Sequence, residues 1–234
     1  MIIQCCHTRC DSSSGGMFRG KVVQCKLQQS EVLRLMKFKG KSMTNMQKVT
    51  ILSFDEVYLS DEICFDKQEQ RIIGPCKSAQ VVMARGLFSD WKQPIYFKFD
   101  QAMTKGILFE IIRKVEPYYS VVAIVCDMGA SNQGLWKSLN IDWNNNNFFP
   151  NPSDNEKKIY VFADIPHLLK LVRNNFLDHG FTIDNSKINS QCIQYMIKNS
   201  NTDLKVGYKI SQYHLDVKQA QRQNVKVAAQ LFSH

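Results

Sequence analysis

Along this chain, short apolar runs alternate with segments whose apolar residues recur every three or four positions. From Glu31 to Met46, Val32, Leu35, Met36 and Lys39 fall at helical spacing and predict a basic amphipathic helix. Val49-Thr-Ile-Leu-Ser-Phe54 reads as a strand running straight into Asp55-Glu56. A hairpin-like stretch punctuated by Gly74-Pro75 follows, and the segments 80–85 and 93–99 read as a second and a third strand. Between Thr104 and Glu116, Ile107, Leu108, Ile111, Ile112 and Val115 mark one face of a helix that Pro117 closes.

Val121-Val-Ala-Ile-Val-Cys126 is almost wholly apolar, as a central parallel strand should be, and it delivers Asp127. Ser131 to Leu139 can cap and form a short helix carrying Leu135 and Trp136. The Asn- and Pro-rich stretch 142–152 reads as a loop, and Ile159-Tyr-Val-Phe-Ala163 as a further strand ending at Asp164. A helix begins at Pro166, and the remainder reads as mainly helical, with segments near 188–199 and 217–233 separated by Leu204 to Ile210.

Three strands, helix, buried strand, helix, strand, helix is the order of an α/β fold with a mixed sheet: three antiparallel strands, then parallel ones, flanked by helices. This is the RNase H-like order, in which the first and fourth strands are parallel neighbours. The expected organisation is an atypical N-terminus over 1–30, an RNase H-like domain over 31–163 and a partial helical insertion domain over 164–234.

Composition narrows the function classes only slightly. Residues are 44% hydrophobic and 22% charged, as in ordinary globular proteins. No apolar run is long enough to span a bilayer, and the start shows no signal-peptide pattern. The formal charge of +9 admits a nucleic-acid partner. Lys157, Lys158, Lys170 and Arg173, with Lys37, Lys39 and Lys41, are candidates to track DNA phosphates, against the alternative of a solvated basic face. The eight cysteines form no regular framework, which favours a reducing compartment, and Cys126 reads as a small buried hydrophobe. Cys5, Cys6, His7 and Cys10 match no standard zinc spacing. Neither Gly15–Val22 nor Gly40-Lys41-Ser42 completes a phosphate loop: the first lacks the hydroxyl residue, the second the leading glycine.

Asp55 and Asp127 carry the candidate chemistry, each one residue beyond an apolar strand. If those strands are adjacent and parallel, both carboxylates emerge at the same end of the sheet, where ligands of such sheets bind. Two carboxylates held together repel unless a cation lies between them. Hard oxygen ligands suit Mg²⁺, which keeps waters for a substrate phosphate. Two such ions roughly 4 Å apart would activate a water or 3′-hydroxyl and stabilise the leaving oxygen of an in-line displacement. The competing reading for either aspartate is a turn or helix cap. Glu56 should point away from Asp55 by strand alternation, and Asp61, Glu62 and Asp66 read as solvated loop charges. Asp164 with Pro166-His167 reads either as a ligand cluster or as a helix start. A nuclease complete within these residues would need Glu56, Glu110 or Asp164 in the same site.

Leu52-Ser-Phe-Asp-Glu56, Met83-Ala-Arg-Gly-Leu-Phe88, Trp91-Lys-Gln-Pro94, Val122-Ala-Ile-Val-Cys-Asp-Met-Gly129, Asn132-Gln-Gly-Leu-Trp136 and Asp164-Ile-Pro-His-Leu-Leu-Lys-Leu-Val-Arg-Asn174 resemble the THAP-associated P-element transposase family. The likeness runs from about Val32 to His234. It implies an RNase H-like core performing cut-and-paste DNA transposition with three acids and Mg²⁺, on transposon ends, in the nucleus and as a homo-oligomer. Asp55 and Asp127 match the first two acids, while the family's third lies beyond a large helical insertion, past His234. That insertion binds GTP in the family, and the region from about Asp164 resembles its first part. Lys209, Val225 and Ser233 match positions that help form the nucleotide site, whereas at Asn224 the family can carry a lysine. The alternative is a domesticated or decayed descendant that binds DNA or protein without chemistry.

Overall fold

The computed structural model describes residues 29–59, 63–66, 71–199 and 207–233. The N-terminal cysteines, Gly15–Val22, Asp61 and Glu62 lie outside them. The chain divides into two compact units, with the boundary between Asp164 and Ile165. No helix among the described residues is long and apolar enough to cross a membrane.

The first unit contains helix α1 (Gln29–Gly40), strand β1 (Val49–Tyr58), a small hairpin of β2 (Cys64–Asp66) and β3 (Arg71–Ile73), then β4 (Ser78–Gly86), β5 (Lys92–Phe99), α2 (Lys105–Val115), β6 (Ser120–Cys126), α3 (Ala130–Ser138), β7 (Phe148–Asn151) and β8 (Asp154–Ala163). Six strands form one sheet in the order β5-β4-β1-β6-β8-β7. β1, β4 and β5 are joined antiparallel, β6 lies parallel to β1, and β8 parallel to β6. The mixed α/β sheet expected from the sequence is the one observed, with β7 added antiparallel on the far edge.

Apolar periodicity explains the packing. β6 is central, and its Val121, Ile124 and Cys126 are at most 1% exposed. Helix α2 buries Leu108, Ile111, Ile112 and Val115, and the Thr104 hydroxyl accepts the Ile107 N–H at its start. Helix α1 turns Val32 and Met36 inward, and the Tyr119 hydroxyl donates to the Met36 carbonyl at 2.9 Å. Leu35, expected on that inner face, is instead 52% exposed. The helix stops at Gly40 rather than running to Met46, because Thr44 and Gln47 exchange side-chain bonds with each other's backbone N–H. Gly40-Lys41-Ser42 is thus a helix end, with the Ser42 hydroxyl donating to the Lys39 carbonyl. Gly86 ends β4 where a Cβ would stand 2.6 Å from the Trp91 indole nitrogen, so only glycine fits.

β7 lies inside the stretch expected to be loop. Burial overrides its composition: Phe149 is 2% exposed and stacks on Phe109, and Asn151 is fully buried.

The second unit comprises α4 (Ile165–Asp178), a hairpin of β9 (Phe181–Ile183) and β10 (Ser186–Ile188), α5 (Gln191–Asn199), two 3-10 turns (Gln212–His214 and Gln219–Gln223) and α6 (Val225–Phe232). Phe176, Ile210 and Leu231 form its core with Ile193, Met196 and Leu215. Sequence periodicity missed the hairpin, although Asp184-Asn185 is its signal: both residues have positive φ, as a two-residue hairpin turn requires.

Ile124 is fully buried at the middle of the sheet. Ile124→Ala should lower unfolding free energy by about 2–5 kcal/mol in urea denaturation, a loss under about 1 kcal/mol contradicting this packing.

Candidate metal centre and nucleotide segment

The parallel register pairs Phe54 with Cys126, and Cys126 with Ala163 on the other side. Asp55, Asp127 and Asp164 each follow one member of that row. Strands in a sheet lie about 4.8 Å apart, so Asp55 and Asp127 begin side by side where the β1–β6 ladder ends; Asp55 lies within β1 rather than beyond it, since β1 continues against β4 to Tyr58. Asp55 is exposed and Asp127 half-buried.

Each aspartate is oriented by neighbours. The Glu56 N–H donates to Asp55 Oδ1 at 2.8 Å, and buried Gln80 holds the Asp55 carbonyl through Nε2 at 3.1 Å. Asp127 Oδ1 accepts the Gly129 N–H at 3.0 Å and the Asn132 side-chain amide at 2.6 Å. Among the described residues both hydrogen bonds to that carboxylate fall on Oδ1. Asp127 therefore also serves the start of α3, whose N-cap is Gly129 rather than the expected Ser131. A Cβ on Gly129 would stand 3.1 Å from Asp127 Oδ1, tight enough to disturb the carboxylate. Gln80, Gly129 and Asn132 were not singled out from sequence as supports; Asn132, five residues after Asp127 in a helix start, was the available signal.

The other acids have other partners. Ser78 donates its hydroxyl to Glu56 at 2.5 Å, consistent with Glu56 pointing away from Asp55, and Glu110 is bonded to Lys114. The Asp164 N–H donates to the Cys126 carbonyl, and the helix follows at once. Among the described residues no group of three or more His, Cys, Asp or Glu side chains converges as a metal site. The nuclease reading, with its third carboxylate within these residues, finds none. A two-carboxylate oxygen donor set nevertheless fits Mg²⁺, which retains several waters.

Lys157 reaches Glu116 and Asp154, Lys158 lies over the Phe148 ring and Lys37 over Tyr118, while Lys39 and Lys41 are exposed.

In the second unit, Lys209 is exposed with its ammonium over the Tyr208 ring, Val225 is the first residue of α6, and Ser233 is the exposed residue that ends it. Eight residues of helical rise separate Val225 from Ser233 by roughly 12 Å. Asn224 caps α6 by accepting the Val227 N–H. Lys170 donates to Gln223 Oε1. Arg173, expected on a DNA-facing surface, is a correction: its side chain is fully buried, so it cannot follow a phosphate backbone from the exterior.

The model of the TNP-like RNase H N-terminal domain matches residues 28–140, and that of the TNP-like GTP-binding insertion domain matches residues 166–234. The transposable element P transposase of Drosophila melanogaster is 39% identical over 189 residues, covering 80% of this chain and 25% of the relative. A chain of the solved Drosophila P element transposase strand transfer complex superposes with a TM-score of 0.81 at 38% identity, over 86% of this chain and 46% of that one. The chain therefore spans a quarter of its curated relative and under half of the solved chain.

Burial pushes the Cys126 thiol up to about 12; the Trp136 indole opposes this, and the charges of Asp127 and Asp55 add to the rise. A raised folded-state pKa binds the proton more tightly than the unfolded chain does. The resulting stability is complete below the ordinary thiol value of about 8.5 and is lost as pH climbs through it toward 12. Native protein at pH 8 should leave Cys126 unalkylated by iodoacetamide, and urea should expose it, as read by mass spectrometry. Modification of the native chain at a free-thiol rate would contradict the burial.

Proposed function

As this chain belongs to the P-element-type transposases through both of its domains, we propose that it serves cut-and-paste DNA transposition, contributing two of the acids for Mg²⁺-dependent phosphoryl transfer. The observation that carries the reading is the β1–β6 register, which starts Asp55 and Asp127 side by side. Asp55 and Asp127 would hold the metal, with Gly129 and Asn132 fixing the Asp127 carboxylate through its Oδ1. When bound, Mg²⁺ supplies activation of a water or 3′-hydroxyl and stabilisation of the leaving oxygen. Exposed Lys39 and Lys41, and Lys170 in the second unit, would contribute to holding DNA at transposon ends. The second unit would bind GTP with Lys209, Val225 and Ser233. Action on chromosomal DNA places the protein in the nucleus, and pairing two transposon ends calls for a homo-oligomer.

A second reading, a DNA-binding descendant without chemistry, draws on the absence of a third converging acid among the described residues. Mn²⁺ binding and DNA nicking separate the two. On the first reading the chain binds Mn²⁺, Asp127→Asn weakens binding at least tenfold, and Asn132→Ala weakens it about tenfold through lost orientation. Wild-type Mn²⁺ affinity in Asp127→Asn would refute the metal assignment. Mg²⁺-dependent nicking that Asp127→Asn abolishes would eliminate the second reading; DNA binding without nicking would favour it.

A further inference from the structure

Strand β8 presents two unlike faces. Ile159 and Val161 are at most 1% exposed and belong to the core that includes Leu108 of α2 and Leu135 of α3. Alternation turns Lys158, Tyr160 and Phe162 to the other face, where Tyr160 is 42% and Phe162 50% exposed. Neighbouring strands widen this surface. Phe148 of β7 pairs with Tyr160, the rings 6.0 Å apart, and half-buried Val125 of β6 pairs with Phe162. Parallel strands are normally covered on both faces, and β8 runs parallel to β6, so exposed aromatic residues in a row on it mark a contact surface.

Opposite charges close the two ends of the row. Lys158 begins it, with its ammonium 4.3 Å from the centre of the Phe148 ring. Whereas Lys157 reaches Glu116 and Asp154, Lys158 has no carboxylate partner among the described residues. Asp164 follows the last residue of β8, half-buried and without an ion pair among the described residues. Lys158 and Asp164 are equidistant from Val161 along the chain, and so are Tyr160 and Phe162.

A row reading cation, aromatic, aromatic, anion is complementary to its own reverse. A two-fold axis across β8 at Val161 sets Asp164 of a second copy against Lys158, and Phe162 of that copy against Tyr160. Each pair then occurs twice, as a two-fold contact requires. Sheets pack face to face about 10 Å apart, which lets such side chains interdigitate. Nucleic acid matches the row less well. Only one end offers a cation, and Asp55, on the same face through the Ser53–Val125–Phe162 register, repels phosphate together with Asp164.

We infer that the exposed face of β8 is a homodimer interface, formed by antiparallel face-to-face pairing with a second copy of this chain. This contact gives the homo-oligomer proposed above its surface, and it stands on β8 rather than on the transposition reading. Because Asp55 shares the face, pairing turns the aspartates of the two copies toward opposite ends of one interface.

The test is sedimentation velocity of the full chain over a concentration series, at low and at high sodium chloride, with the Tm of each variant measured beside it. The wild type should form a dimer that salt weakens. Phe162→Ser should keep the wild-type Tm at dilutions where the chain is monomeric and pair at least tenfold more weakly. Lys158→Glu should also weaken pairing at least tenfold, and adding Asp164→Lys to it should restore most of the loss. Should the double variant fail to fold, Phe162→Ser and Lys158→Glu decide the matter between them. A chain that stays monomeric at every concentration, or a folded double variant that pairs no better than Lys158→Glu, overturns the inference. So does a monomer that binds single-stranded DNA through Phe162, which would assign the face to nucleic acid. A dimer indifferent to Phe162→Ser and Lys158→Glu overturns this contact and leaves the homo-oligomer standing. A dimer broken by both, in a chain that binds neither Mn²⁺ nor DNA, upholds the contact and removes the transposition reading.

Discussion

The parallel ladder that joins Val49–Phe54 to Ser120–Cys126 brings together two aspartates that lie far apart in the chain. It forms because both strands are apolar enough to be buried in the sheet: Leu52 and Ile124, paired across it, are each fully buried. A slip of one residue would move every side chain of a strand to the other face and separate the carboxylates. The placement of the two aspartates therefore depends on hydrophobic packing several residues away. α2, α3 and Tyr119 contribute by packing into the core that holds the two strands.

Much of this was legible in the sequence. Continuous apolar runs ending in Asp55 and Asp127, and the element order around them, led to the right sheet with the right neighbours. Less legible were features decided by tertiary contact. β7 is written in asparagine and proline, residues that locally favour turns, and becomes a strand because Phe149 and Asn151 are buried against the rest of the unit. The β9–β10 hairpin was overlooked although Asp184-Asn185 carries its turn, since a three-residue strand shows too short an alternation to register. Leu35 has helical spacing yet faces outward, because α1 covers the sheet with only a narrow stripe.

The supports of the site were harder still to read. Asn132 and Gly129 act on Asp127 through one bond each, and nothing in their residue types separates them from helix-capping residues in general. Of the two interpretations of Asp127, the structure shows the helix-start one, with its Oδ1 accepting the Gly129 N–H and the Asn132 side-chain amide. Arg173 shows the opposite failure. Charge patterning put it on a surface, whereas the fold buries it, and a buried cation can be distinguished from an exposed one only once its contacts are known.

Paramagnetic broadening tests directly whether the two aspartates share one cation. Mn²⁺ titrated into isotopically labelled chain should broaden the amide signals of Asp55 and Glu56 together with those of Asp127 and Gly129, at a single midpoint. Broadening of one group alone, or of the two groups at separate midpoints, would contradict a shared site.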